Sequence, residues 1–461
     1  MFRKFKKIHF IGIGGIGMSG IAELLLNLKF EVTGSDLKLS DTTDHLREKG
    51  ATIYEGHDPD NVNHSDVVVY SSAVTLDNPE IIAAQERKIP IIRRAEMLGE
   101  LLKLKQYSVA IAGTHGKTTT TSMVGHMMMA GGLDPTLIIG GIIKHLKSNA
   151  LLGQGDYVVA EADEFDRTFL SLTPTLAIIT NIEPEHLDTY RDMDDLKGAF
   201  VQFANTVPFY GVVIACLDEP NIQDILPRLT RRVITYGLST QADVQAIRIK
   251  YREYHSEFEL RVGNEIYGPV LLRAPGSHNV KNATAAAALG LELGMPFEDI
   301  RDGLNSFETV NRRFEIRGEQ NDVLFIDDYA HHPTEVKATL TAAKEGWNRR
   351  VVAVFQPHLY TRTRDFKDDF GKAFLHSDVL VVTEIYPARE KPIPGITGRL
   401  IAEAARAFGH KQVYYVSEKE QLPDKVADII QTGDLVITLG AGDITKYNQK
   451  ILTAYKKTAG K

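Results

Sequence analysis

A chain of 461 residues has room for about three domains of ordinary size, and 43% hydrophobic against 25% charged residues with only 18 prolines excludes a disordered, collagen-like or repeat-coil chain. The 53 basic and 60 acidic residues leave a net charge of −7, which offers no general electrostatic footprint for nucleic acid. The single cysteine, Cys216, cannot close an internal disulfide and fits a reducing cytoplasm.

In chain order, MFRKFKK followed by IHFIGIGGIGMSGIAELLL has the outline of a basic and then apolar targeting segment. Gly12, Gly14, Gly15, Gly17, Ser19, Gly20 and Glu23 would interrupt such a helix, and strand, turn and helix account for them better. No other stretch approaches the roughly 18 apolar residues of a membrane span, so no membrane insertion is expected. Residues 7–13 form a buried strand, 16–28 a helix and 30–35 the next strand. The pattern continues through 67–73 and 89–94, and the helical AEMLGELLKLKQ leads out of a first domain. A second series starts at Ser108, with strands at 110–113, 156–164, 176–183 and 211–219 alternating with helical patterns. Residues 243–272 alternate polar and apolar, as a small antiparallel sheet would. After helical 280–294, NRRFEIRG (311–318) leads into strands at 323–328, 351–356, 379–385, 412–416 and 434–440. The expectation is an α/β protein with domains at 1–106, 107–311 and 312–461.

Three groups of residues carry chemistry. Gly12-Ile13-Gly14-Gly15-Ile16-Gly17 lies between strand and helix with Asp36 at the end of the next strand, a turn suited to a pyrophosphate at a helix N-terminus and to a ribose hydroxyl. A dinucleotide and a UDP-sugar pose the same recognition problem, so the motif selects a diphosphate and leaves nicotinamide open. Gly113-Thr114-His115-Gly116-Lys117-Thr118 follows an apolar strand and opens a helix. It lacks the first glycine of the general P-loop, Ile111 standing there, but keeps the lysine for phosphate oxygens and the threonine hydroxyl for Mg²⁺. Thr118 and Glu161 suit Mg²⁺, and His186 would complete a second metal position. Glu164, Glu183 and Glu185 read as solvated loop charges, and Met127–Met129 as helix core. In the third series, His331 and His332 read as substrate or phosphate contacts, and Arg362 and Arg364 as a carboxylate clamp.

Taken in order, IGIGGIGMSGIA, SDL, YSSAV, RAEML, AGTHGKTTTTSM, EADEFD, TNIEPEHLDTY, PGSHNVKNATAA, NRRFE, DDYAHHPTE, FQPHLYTRTRD and EIYPAREKPIPG resemble the Mur ligase family across essentially the whole chain. These are the ATP-dependent amino-acid-adding enzymes of peptidoglycan synthesis. The resemblance implies a Rossmann-like N-terminal domain for the UDP-sugar, a central P-loop ATPase and a Rossmann-like C-terminal domain completing the amino-acid site. It implies ATP and Mg²⁺ as cofactors, and the joining of L-alanine to the lactyl carboxylate of UDP-N-acetylmuramate through an acyl phosphate. It places the donor on Gly12, Gly14, Gly15, Gly17, Met18, Asp36, Ser71 and Ser72, and the nucleotide on Gly113, Thr114, His115, Gly116, Lys117, Thr118, Thr119, His278, Asn279, Asn282, Arg313 and Asp328. The amino-acid side falls to Tyr329, His331 and Arg362, the metal to Thr118, Glu161 and His186, and catalysis to Lys117, Glu161, His186 and His331.

Two positions depart from the family's pattern. Leu359 stands where many alanine-adding members carry arginine, and Val201 stands fifteen residues after His186, where several sister ligases carry a carbamylated lysine. Lys197, one turn away, is expected to be an ordinary ammonium. Alternatives are a ligase that attaches a recycled tripeptide to the same donor and a nucleotide-sensing homologue without turnover. The chain is expected to be cytoplasmic, a monomer or weak homodimer, with no nucleic-acid partner.

Overall fold

A computed structural model describes residues 5–143, 148–185, 189–309, 311–388 and 390–459. The first sheet has β1 (Lys7–Ile11), β2 (Glu31–Asp36), β3 (Thr52–Glu55), β4 (Val67–Tyr70) and β5 (Ile91–Arg93) in the order β3-β2-β1-β4-β5, all neighbours parallel. Parallel strands need crossover helices on the sheet faces. Here these include α1 (Ile16–Asn27), α2 (Asp41–Glu48) and α3 (Pro79–Glu86), and α4 (Arg94–Leu102) leads on to the next sheet. Pro79 at the first turn of α3 and the Asn78 side chain, accepting from the Glu80 N–H at 2.9 Å, fix where that helix starts.

The second sheet has ten strands: β6 (Tyr107–Ala112), β7 (Thr136–Ile143), β8 (Ser148–Leu151), β9 (Tyr157–Ala162), β10 (Leu176–Ile179), β11 (Val212–Cys216), β12 (Val233–Gly237), β13 (Val244–Arg252), β14 (His255–Val262) and β15 (Glu265–Leu272). Their order is β15-β14-β13-β12-β11-β10-β6-β9-β7-β8, so the P-loop strand β6 lies between β9 and β10. The alternation of 243–272 does make three half-buried strands. They continue this sheet from β12, to which β13 is parallel, and do not form a sheet of their own. The helix α5 (Lys117–Ala130) starts directly from the P-loop, with Met127 and Met128 fully buried as the periodicity predicts.

The third sheet has β16 (Glu315–Gln320), β17 (Val323–Asp328), β18 (Val351–Phe355), β19 (Val379–Thr383), β20 (Val413–Val416) and β21 (Leu435–Leu439) in the order β16-β17-β21-β18-β19-β20. Only β16 is antiparallel to its neighbour. Its near-continuous apolar strands bury both faces, Leu324, Ile326 and Val382 on one and Val323, Phe325 and Val381 on the other. By internal contacts the chain divides into one compact unit of 1–247, 259–270 and 281–307 and a second of 248–258, 271–280 and 308–461. In the second unit, Tyr254 meets Trp347 edge-on at 5.4 Å, and Trp347 stacks on Phe314 at 5.3 Å.

Candidate functional site

Each sheet gathers its polar residues at the carboxyl ends of three adjacent strands, the usual place for ligands in open α/β sheets. In the first, Gly12 follows β1 with φ +79°, a conformation that disfavours a side chain. The N–H groups of Gly12 and Ile13 donate to the Ser35 carbonyl at 2.9 and 3.0 Å, and that of Gly14 donates to the Asp36 carboxylate at 2.9 Å. A Cβ on Gly12 would stand 3.3 Å from Ser71, at the end of β4. The structure therefore brings Gly12, Gly14, Gly15, Gly17, Asp36, Ser71 and Ser72 together. It does not offer the Met18 side chain, which is 1% exposed, and the Met18 N–H is bonded to the Gly15 carbonyl at 2.9 Å. Met18 shares the inward face of α1 with Ile21 and Leu25. Arg94, in the RAEML motif, lies against the same turn. A Cβ on Gly17 would be 2.8 Å from its guanidinium, which also reaches Asp163 beyond β9 at 3.5 Å.

The P-loop is stitched to the end of β10. Thr114 N–H donates to the Asn181 carbonyl at 3.2 Å, His115 N–H donates to the Asn181 side chain at 2.8 Å, and the Thr180 hydroxyl and Asn181 amide both donate to the His115 carbonyl. Gly113 has φ +137°, and a Cβ there would fall 2.0 Å from the Thr180 hydroxyl, so only glycine fits. Asn282, in the helix Ser277–Glu292, lies against Gly116, 2.9 Å from where its Cβ would be. His278 and Asn279 precede it on that helix but group with the second unit, and the Asn279 amide donates to the Pro275 carbonyl at 2.7 Å. Thr119 is buried one residue beyond Thr118.

Lys117 donates to the carbonyls of Gly113 and Thr114 at 2.6 and 3.2 Å and to the Glu164 carboxylate at 2.7 Å. Burial alone would lower the pKa of its ammonium, but Glu164, Asp163 and Glu185 hold it above the ordinary lysine range. Reading Glu164 and Glu185 as solvated is thus corrected: they are 1% and 9% exposed, and Glu164 is the counter-ion of the P-loop lysine. Glu183 lies 3.6 Å from the His115 ring. Sequence alone gives no sign of this, because acids that end buried strands and acids in open loops look alike.

The Thr118 hydroxyl donates to Glu161 at 3.1 Å, and the Gly140 N–H donates to its other oxygen. Burial raises the pKa of the Glu161 carboxyl. A hydroxyl and a half-buried carboxylate so close together, beside a phosphate loop, fit a hard divalent cation such as Mg²⁺. His186, the third expected ligand, lies outside the described residues.

In the third sheet, Asp328 ends β17, 5% exposed, and accepts from the N–H groups of Phe314 and Ala330, each at 2.7 Å. Burial lifts its carboxyl to about 6 against the pull of Arg313. Arg312 and Arg313 lie over the Tyr329 ring at 5.0 and 5.3 Å. His331 is oriented by Glu335, 3.1 Å from its Nδ1, and meets the rings of Tyr329 and His358 edge-on. Arg362 lies 3.3 Å from the His358 ring nitrogen, so Tyr329, His331 and Arg362 are brought together as expected. Sequence reasoning missed His358 and Tyr386, whose rings stack at 5.9 Å, although FQPHLYTRTRD contains the histidine. Arg364 pairs with its neighbour Asp365 at 2.6 Å. His332 is 3% exposed and caps the helix Pro333–Gly346.

Models of three domain families match the chain in order: "Mur ligase family, catalytic domain" over 7–106, "Mur ligase middle domain" over 111–290 and "Mur ligase, glutamate ligase domain" over 312–442. The chain is 50% identical to a UDP-N-acetylmuramate–L-alanine ligase of Geotalea uraniireducens, covering 99% of each, and 51% identical to that of Salinibacter ruber, covering 99% of this chain and 96% of the relative. Among solved structures, the UDP-N-acetylmuramate-alanine ligase of Thermotoga maritima superposes with a TM-score of 0.82 at 30% identity, covering 98% of this chain and 99% of that one. A murein peptide ligase of Psychrobacter arcticus gives 0.71 at 25%, covering 98% of both.

Proposed function

Because the chain belongs to the Mur ligase family, we propose that it joins L-alanine to UDP-N-acetylmuramate at the expense of ATP, a step of peptidoglycan precursor synthesis. The observation that carries this reading is likeness over essentially the whole chain, at half of all positions, to ligases of that name. ATP phosphorylates the lactyl carboxylate, the alanine amine attacks the acyl phosphate, and phosphate leaves from the tetrahedral intermediate. The domains proposed for this work are 1–106, 107–311 and 312–461.

The Gly12–Gly17 turn, with Asp36, Ser71 and Ser72, holds the donor's diphosphate and ribose, using backbone N–H groups at the start of α1. Lys117 neutralises charge on the transferring phosphoryl group, and Asn282, beside Gly116, contacts the nucleotide. Mg²⁺ would add Lewis-acid stabilisation of the phosphate oxygens, with Thr118, Glu161 and His186 as the residues proposed to hold it. On the amino-acid side, Arg362 takes the alanine carboxylate and Tyr329 bounds the pocket. His331, oriented by Glu335, accepts the amine proton. No helix among the described residues is long and apolar enough to cross a membrane, and we place the enzyme in the cytoplasm as a monomer or weak homodimer.

The test is phosphate release in the presence of ATP, UDP-N-acetylmuramate and a panel of amino acids and the tripeptide. Release should require the donor and be supported best by L-alanine. Preference for the tripeptide would assign the chain to the recycling reaction, and release indifferent to the donor would sink both. Lys117→Ala should lower turnover by about 10² to 10³ while donor binding persists.

A further inference from the structure

An ammonium has three N–H donors, and those of Lys117 are all engaged within the protein, by the carbonyls of Gly113 and Thr114 and by the carboxylate of Glu164. A phosphate oxygen can be grasped only if one of these partners yields. The two carbonyls belong to the loop itself, so giving them up would distort the cradle. Glu164 is the one partner of the same charge type as a phosphate. Its carboxylate, 1% exposed, stands 2.7 Å from the Lys117 nitrogen in a setting where charge is poorly screened.

We propose that Glu164 is a resident anion of the P-loop, which holds the Lys117 ammonium while the site is empty and which the terminal phosphates of the nucleotide must displace. The inference rests on reading Gly113–Thr118 as the ATP site and deepens it, by making Glu164 a positioning residue that sets nucleotide affinity through Lys117. The carboxylate is well placed for this because its backbone is anchored independently. The buried Tyr190 hydroxyl donates to the Glu164 carbonyl at 2.6 Å, and the Arg167 N–H donates to the same oxygen at 3.1 Å. The neighbouring acid, Asp163, has its own cation in Arg94, so it does not compete for the lysine at hydrogen-bond range. Because the Lys117–Glu164 pair must be broken before the ammonium can reach a phosphate, it weakens nucleotide binding and favours release of ADP after each turnover.

The experiment compares the full-length protein with Glu164→Gln, an isostere that keeps a hydrogen-bonding oxygen but removes the charge, and with Glu164→Asp, which withdraws the carboxylate by one methylene. Calorimetry would measure affinity for ADP and ATP without Mg²⁺, and steady-state kinetics would measure KM and kcat. Glu164→Gln should bind both nucleotides on the order of tenfold more tightly, lower the KM for ATP without raising kcat, and leave the KM for UDP-N-acetylmuramate unchanged. Glu164→Asp should shift in the same direction by less, and it carries the test if the glutamine variant does not fold. In the Lys117→Ala background the gain should vanish. Unchanged or weaker nucleotide binding by a folded Glu164 variant overturns the proposal. So does a gain that persists without Lys117. If Lys117→Ala alone leaves nucleotide affinity intact, it is the P-loop reading that fails.

Discussion

At the scale of single residues, the informative positions are those where burial and charge conflict. Asp328 accepts two backbone N–H groups, which favour its anion, yet burial wins and lifts its carboxyl to about 6. A carboxyl whose folded pKa lies above its unfolded value of about 3.9 binds its proton more tightly in the native state. Stability from this group is therefore present at low pH and lost as pH rises from about 4 to about 6, roughly 3 kcal/mol for a shift of about two units. Trp347, the only tryptophan, is buried on Phe314, whose N–H donates to Asp328, so its fluorescence reports the right core. In urea titrations followed by that signal, the native protein should lose stability relative to Asp328→Asn between pH 4 and 6 and run parallel to it above pH 6. A gap that stays constant with pH would remove the buried, protonated carboxyl from the account.

At the scale of elements, the glycine turn shows how neighbouring strands build a site. Ser35 holds the turn through its carbonyl, and its hydroxyl donates to the buried Glu80 at 2.6 Å. Burial would raise the pKa of Glu80, but the His9 ring 3.6 Å away and hydrogen bonds from Ser35 and Asn61 hold it low. A side chain at Gly14 would begin 2.9 Å from the Asp36 carboxylate and 3.1 Å from Thr43. Gly14→Val should accordingly raise the KM for UDP-N-acetylmuramate by at least about tenfold with little change for ATP, and the reverse pattern in steady-state kinetics would misplace the donor site. On α6 (Met193–Asn205), Lys197 pairs with Asp224 at 2.6 Å. With Val201 at the position of the sister ligases' carbamylated lysine, activity in carbon-dioxide-depleted buffer should not respond to bicarbonate. The turn, the P-loop and the strand series were legible in the sequence because glycine placement and period-two or period-3.6 patterning are local. The burial of Glu164 and the continuation of β12 into β13–β15 were not, since both depend on which strands become neighbours. The inward direction of Met18 was not legible either, because a motif names positions without saying which way each side chain points.

At the scale of the whole molecule, the residues proposed for the donor and for the amino acid fall in different compact units. The donor turn, Lys117 and Glu161 belong to the first, whereas Tyr329, His331, His358 and Arg362 belong to the second. A change confined to the amino-acid cluster should then leave donor recognition alone. His331 is the sharpest probe, because Glu335 fixes its ring from within the same unit, at 3.1 Å from Nδ1. His331→Ala removes the proposed proton acceptor, and loss of such a group typically costs about 10² to 10⁴. The prediction is a fall of that order in kcat/KM for L-alanine, with calorimetric affinity for UDP-N-acetylmuramate unchanged. Glu335→Gln should give a smaller loss, since the ring stays in the cluster but loses the carboxylate 3.1 Å from Nδ1 that orients it. If His331→Ala instead weakened donor binding as much as it slowed ligation, the cluster would be serving the sugar nucleotide, and the division of labour between the units would have to be redrawn.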